Sequence, residues 1–246
     1  DRVLQTNPRI GRNGETCSSF GEHLKFDLRK GFPLLTTKKM FLRGIVEELL
    51  FFIRGQTDTT ILEAKNVNIW KGNTNREFLN SLGDERSEMK DGEMGPMYGY
   101  QWRRFNAPLD GSGPGVDQLT EVINLIRTDP HSRRILMTDY NPCQAKQGVL
   151  YPCHSITLQF YVSQGETDRD YLDMFCYNRS SDLFLGLPFN IASSSLLLIL
   201  IATACNLVPR FINISLGDAH IYAGHTDQAW EQSQRVPYVF PTLTIK

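Results

Sequence analysis

Hydrophobic residues recur along this 246-residue chain in two rhythms. Over 41–55 they fall at Leu42, Ile45, Val46, Leu49, Leu50 and Ile53, one face of a helix that turns about 100° per residue. Thr36 and Thr37 stand before it as candidate caps. On that wheel Glu47 lies with Arg43 and Arg54 on the polar side, whereas Glu48 sits about 20° from Phe41 and about 40° from Phe52, at the rim of the apolar arc. Glu48 is therefore expected to point inward. Leu119, Ile123 and Ile126 predict a second amphipathic helix that begins near Val116-Asp117 and ends before Pro130. Over 155–162 the period becomes two: Ile156, Leu158, Phe160 and Val162 alternate with Ser155, Thr157, Gln159 and Tyr161, as in a strand with one face in the core. Residues 134–138, 171–178 and 211–216 carry similar strand patterns. The unbroken apolar run at 196–202 follows three serines and precedes Asn206, short of the roughly 20 residues a membrane span needs, and predicts a buried core helix. Strands interleaved with a few long helices, without regular βαβ alternation, predict an α+β fold. The expected form is a single domain over 1–246, a mixed β-sheet covered by helices on one face. The other sheet face then needs a partner.

Composition narrows the function. With 41% hydrophobic and 22% charged residues, the chain is neither disordered nor collagen-like. Twenty-six basic residues against 27 acidic leave a net charge of −1, so neither nucleic acid nor a membrane surface is expected as the primary partner. Five cysteines form no CxxC pair, and their odd number argues against a disulfide framework or metal knuckle; a reducing cytoplasm and no metal are expected. Residues 1–5 hold no apolar signal core, so export is not expected, and the absent Met suggests that native residues lie outside this sequence.

Three segments offer chemistry. Pro152-Cys153-His154 immediately precedes the strand pattern at 155, placing a thiol at a strand edge where a loop exposes it. The ordinary alternative is an inert buried cysteine; a thiolate needs positive charge nearby, and Arg133, Arg134 and Arg179 are the candidates. Residues 178–193 gather Arg179, Ser180, Asp182 and Asn190 around a Gly/Pro turn, a polar loop beside an apolar core. Arg179 can hold a phosphate through paired N–H donors, and Asn190 offers the donor and acceptor that match a pyrimidine edge. Asp218-Ala219-His220-Ile221-Tyr222 puts His220 and Tyr222 on one side of an extended chain, suited to a sugar hydroxyl.

These segments, with Phe32-Pro33-Leu34-Leu35-Thr36-Thr37-Lys38, Glu47-Glu48-Leu49-Leu50, Ile69-Trp70, Gly95-Pro96-Met97-Tyr98-Gly99, Gln101-Trp102-Arg103 and Gly115-Val116-Asp117-Gln118-Leu119, stand in the order of one family. The chain resembles thymidylate synthases over nearly its whole length. The resemblance implies methylation of deoxyuridine monophosphate (dUMP) at C5, with 5,10-methylenetetrahydrofolate as co-substrate supplying both carbon and hydride. It implies Cys153 as the nucleophile at C6, with Glu48, Tyr98, His154 and Asp182 completing the catalytic set. Arg12 and Arg179 would hold the phosphate, with Ser180 a further phosphate or ring contact, joined by Arg133 and Arg134 of the partner subunit in a homodimer whose sheets stack back to back. Asn190 would read the uracil, and His220 with Tyr222 the deoxyribose. Ile69, Trp70, Asp182, Leu185, Gly186 and Phe189 match the folate face.

Several positions depart from the family pattern: Asn178 for a usual Gln, Tyr140 after Asp139 for Trp, Phe51 for Trp and Gly224 for Asn. At the N-terminus, Arg12-Asn13-Gly14 fits the family's Arg-Thr-Gly better than Arg9-Ile10-Gly11 does. The nearest rival is a dUMP 5-hydroxymethylase of the same superfamily, in which water replaces the hydride; Asn190 argues against its cytosine counterpart, which carries Asp there. An idle nucleotide- or RNA-binding regulator is a third reading, opposed by the joint presence of Cys153, Glu48 and Tyr98.

Overall fold

The computed structural model describes residues 2–11, 13–166 and 168–245. In chain order its elements are β1 (Arg9–Gly11), β2 (Gly14–Asp27), α1 (Leu42–Ile53), α2 (Thr60–Glu63), α3 (Lys71–Thr74), α4 (Arg76–Ser81), α5 (Gly99–Arg104), α6 (Gln118–Thr128), β3 (Leu136–Thr138), β4 (Thr157–Ser163), β5 (Tyr171–Asp182), α7 (Gly186–Ala204), β6 (Val208–Tyr222) and α8 (Thr226–Ser233), with short 3-10 turns among them. The α+β class is as expected. The chain forms two compact units: residues 1–41 with 153–246, and residues 42–152.

The first unit is built on strands in the order β1-β2-β6-β5-β4. Neighbours run antiparallel except β5 and β6, so the sheet is mixed. A parallel neighbour cannot be reached by a hairpin, and α7 is the crossover that connects the two strands. Along β5, buried Leu172, Met174, Cys176 and Asn178 alternate with Asp173, Phe175, Tyr177 and Arg179. The buried set continues across the sheet, with Leu158 opposite Cys176 and Cys176 opposite Ile214. Helix α7 packs against β5 and β6, and its buried residues, including Leu187, Ile191, Ala192, Leu197, Leu198 and Ile201, surround its axis. At 19 residues it is long and apolar enough to cross a membrane, yet most of it lies inside the protein, as a core helix does. Pro188 stands in its first turn, where a missing N–H costs no helical bond.

The second unit is mainly helical. Helix α1 buries Ile45, Leu49, Phe51 and Phe52, and Glu48 goes in with them at 8% exposure, while Glu47 reaches outward to Lys65 Nζ at 2.6 Å. The sequence placed its cap wrongly. Thr36 and Thr37 precede Leu42 by more than a turn and bind elsewhere in the first unit: Thr36 Oγ1 pairs with the Tyr238 backbone and Thr37 Oγ1 accepts from Gln232. Helix α5 crosses α1 so closely that a Cβ on Gly99 would collide with the Phe52 carbonyl, which only glycine permits. Helix α6 begins as expected: Asp117 caps it by accepting from Thr120 N at 3.1 Å and also takes a forked pair from Arg103.

Candidate active site

Strand β5 fixes the segment that carries the candidate nucleophile. Ser180 N donates to the Cys153 carbonyl at 3.3 Å, and Ile156 N to the Tyr177 carbonyl at 2.9 Å. Between them Ser155 takes a left-handed conformation, φ 56°, inside the protein. Asn178 Oδ1 accepts the Ser155 N–H at 2.8 Å and the Cys176 thiol at 3.4 Å. The asparagine that departs from the family pattern thus holds the turn just after the cysteine, at the buried cost of a side-chain NH₂ without a partner among the described residues. His154 Nδ1 lies 3.3 Å from Ser155 Oγ. Part of its surface is reachable, yet it is packed densely enough that burial pushes its imidazole down to about 4. A histidine neutral at pH 7 supplies no positive charge to a thiolate.

The chemistry of the first unit gathers in an open pocket of about 450 Å³ lined by Arg9, Ile10, Gly11, Asn13, Gly14, Thr16, Arg179, Ser180, Asp218, His220 and Tyr222. The register explains the grouping. Asp218, His220 and Tyr222 alternate along β6, opposite Ser180 and Asp182 of β5 on one side and Phe20, Ser18 and Thr16 of β2 on the other. Gly217 lets β5 approach, since a Cβ there would stand 2.6 Å from the Arg179 carbonyl. The His220 ring meets Tyr222 edge-on, with centroids 5.2 Å apart. The pocket thus offers guanidinium groups together with an imidazole and a phenol.

In the second unit Glu48 accepts from Trp70 Nε1 at 2.8 Å. Burial pushes its carboxyl up to about 7, against the opposing pull of that indole N–H. Tyr98 stacks on Phe52 at 5.1 Å and leans on Trp70 at 5.8 Å. Its φ of 44° is strained for a tyrosine, and it stands immediately before α5, whose close contact with α1 holds it. Glu48, Trp70 and Tyr98 therefore form one buried acid-aromatic group.

Known proteins match this chain throughout. The family model described as thymidylate synthase covers residues 3–246. The chain belongs to the thymidylate synthase family. A bifunctional dihydrofolate reductase-thymidylate synthase of Zea mays is 47% identical over 247 residues, which cover 98% of this chain and 45% of that protein. Proteins of the same name from Leishmania major and Glycine max are 46% and 48% identical, over 100% of this chain and 48% and 46% of their own lengths. The chain spans about half the length of these curated relatives.

The structure brings Arg179, Ser180, His220 and Tyr222 into one pocket, with Cys153 bonded through its backbone to Ser180. Asp182 ends β5, and its Oδ1 accepts from Phe184 N and Leu185 N, which shapes the turn into α7. Gly186, Phe189 and Asn190 lie in the first turns of that helix, with Leu185 exposed just before it; none of these four lines the pocket. In the second unit Ile69 is exposed beside buried Trp70, and Arg133 and Arg134 are exposed ahead of β3. Arg12 lies outside the described residues. Arg9, whose motif fits the family pattern less well than that of Arg12, lines the pocket from β1, where its guanidinium donates to Asp218. The Arg9-Ile10-Gly11 motif was a signal for it, but its partner lies 209 residues along the chain. Among the described residues no group of three or more His, Cys, Asp or Glu side chains could hold a metal ion.

Proposed function

We propose that residues 1–246 act as a thymidylate synthase catalytic domain, converting dUMP and 5,10-methylenetetrahydrofolate to dTMP and dihydrofolate. The observation that carries this reading is the pocket of Arg9, Arg179, Ser180, His220 and Tyr222 in a chain of this family: guanidinium donors suit the 5′-phosphate, and the imidazole-phenol pair suits the 3′-hydroxyl. Cys153 as thiolate adds to uracil C6, and the electron pair of the C5–C6 double bond moves into an enolate, making C5 a nucleophile for the folate-borne carbon. Loss of the C5 proton and of the folate amine leaves an exocyclic methylene. Hydride from the folate reduces it as the C6–S bond breaks, so the folate is oxidised and the cysteine returns. Glu48, with its carboxyl near 7, is suited to both giving and taking protons, and Tyr98 to taking the C5 proton. Asn190 reads the uracil edge; Ile69, Trp70, Asp182, Leu185, Gly186 and Phe189 receive the folate.

The active form is a homodimer in which Arg133 and Arg134 of the partner subunit join the phosphate site. The sheet face opposite α7 supports this, because it exposes Tyr161 and Phe175 beside polar Gln159, leaving aromatic surface for a second sheet. A cytoplasmic location accords with the cysteine pattern. The test is incubation with dUMP and methylenetetrahydrofolate, following dihydrofolate absorbance and product mass. Equal amounts of dTMP and dihydrofolate are expected; hydroxymethyl product with tetrahydrofolate overturns the reading in favour of a hydroxymethylase.

A further inference from the structure

Asp218 joins two parts of the pocket through one carboxylate. Its Oδ1 lies 3.0 Å from His220 Nδ1, and its Oδ2 accepts from the Arg9 guanidinium. A carboxylate oxygen only accepts, so this pairing puts the hydrogen of the neutral ring on Nδ1 and leaves Nε2 as an acceptor. The two partners differ in how readily they let go. The His220 side chain is 11% exposed, and the ring is further held against Tyr222. Arg9 is 61% exposed and stands on β1, a three-residue edge strand exposed throughout. An exposed ion pair of this kind is weak, because water screens it and its long side chain loses freedom in forming it, so a phosphate can displace it.

We infer that Asp218 is a positioning residue with two functions: through Oδ1 it holds His220 in the tautomer whose Nε2 accepts from a sugar hydroxyl, and through Oδ2 it retains Arg9 until an anionic group of the ligand takes that guanidinium. The inference rests on the reading of this pocket as a deoxynucleotide site. It makes the anion and sugar ends separable. The ligand-free pocket keeps its carboxylate neutralised, and the arriving phosphate leaves Asp218 still partnered by His220. An anion without a sugar must compete with Asp218 for Arg9, whereas an uncharged nucleoside meets only the prepared imidazole.

Asp218→Asn and Asp218→Leu separate the two functions. In Asp218→Asn the single amide oxygen stays with the more buried His220, which turns the NH₂ towards Arg9, donor against donor. The expected result is an unchanged ring tautomer, deoxyuridine affinity within about twofold of the parent, and inorganic phosphate bound about threefold more tightly. That gain should vanish in an Arg9→Gln background, which separates release of Arg9 from a general change in charge. In Asp218→Leu the acceptor for Nδ1 is gone as well, so the ring should become a mixture of tautomers and deoxyuridine should bind about fivefold more weakly. The readouts are ¹⁵N chemical shifts of the ring in the ligand-free full chain, assigned by comparison with His220→Gln, and calorimetric titrations with deoxyuridine and inorganic phosphate. An Nε2–H tautomer in the parent, a phosphate gain undiminished without Arg9, or deoxyuridine binding unaffected by leucine each overturns the inference. If the parent bound neither probe, the nucleotide reading itself would fail, and the ring tautomer would still decide whether Asp218 sets His220.

Discussion

Two titratable side chains, Glu48 buried and His154 partly so, set opposite pH responses. Glu48 is raised to about 7, so between its unfolded value of about 4.3 and that point the folded chain holds the extra proton, and stability falls as pH rises. His154 is lowered to about 4, so between there and about 6.5 the unfolded chain holds the extra proton, and stability rises with pH. The two largely cancel where they overlap. Glu48→Gln keeps an acceptor for Trp70 Nε1 and removes only the first effect, which should raise stability above pH 7 by on the order of 3 kcal/mol and uncover the rise from His154. Urea denaturation across pH 4–8 measures this; parallel curves for parent and variant would refute it. Cys153→Ser should lower kcat by about a thousandfold or more and abolish the covalent adduct with 5-fluoro-dUMP and methylenetetrahydrofolate, read by mass spectrometry of the peptide containing residue 153. An adduct elsewhere on the chain would assign the nucleophile to another residue.

At the level of elements, α1 and α6 were legible because a period of 3.6 lies wholly within a short stretch of sequence, whereas the short helices α2 to α5 and α8 were not foreseen. Glu48 was placed inside by its angle on α1 alone, and the apolar run at 196–202 was recognised as part of a core helix, which extends over Gly186–Ala204. Strands β1 and β2 were not foreseen. β2 carries Glu15, Ser18, Ser19, Glu22 and His23 among few apolar residues, and pairing along β6 rather than its own pattern makes it a strand. The β5 and β6 patterns likewise extended further than their apolar alternation, into the polar residues that line the pocket. Crossing of α5 over α1 depends on Gly99. Gly99→Ala should cost on the order of 2 kcal/mol and weaken the near-ultraviolet circular dichroism of the Tyr98–Phe52–Trp70 group. A variant with unaltered stability and spectrum would show that the helices part without consequence.

For the whole molecule, the proposed homodimer has a distinctive consequence. A Cys153→Ala chain retains Arg133 and Arg134 for its partner, while an Arg133→Glu, Arg134→Glu chain retains the nucleophile. Each alone should be nearly inactive, whereas an equal, re-equilibrated mixture should recover about a quarter of parental activity, because half the dimers are mixed and each mixed dimer holds one intact site. Activity no greater than the sum of the two variants would refute the exchange of arginines. The sequence by itself determined the α+β class, the inward acid, the core helix, the thiol ahead of a strand and the family, since each is carried by local periodicity or by a motif in a few adjacent residues. The structure alone decided that Asn178 holds the turn at Ser155, that Thr36 and Thr37 serve the C-terminal segment, and that Arg9 and His220 share Asp218. Apart from His220 with Asp218, those pairings join residues at least 23 positions apart along the chain, and only the tertiary fold, with strand register as one of its devices, brings such residues within hydrogen-bond reach.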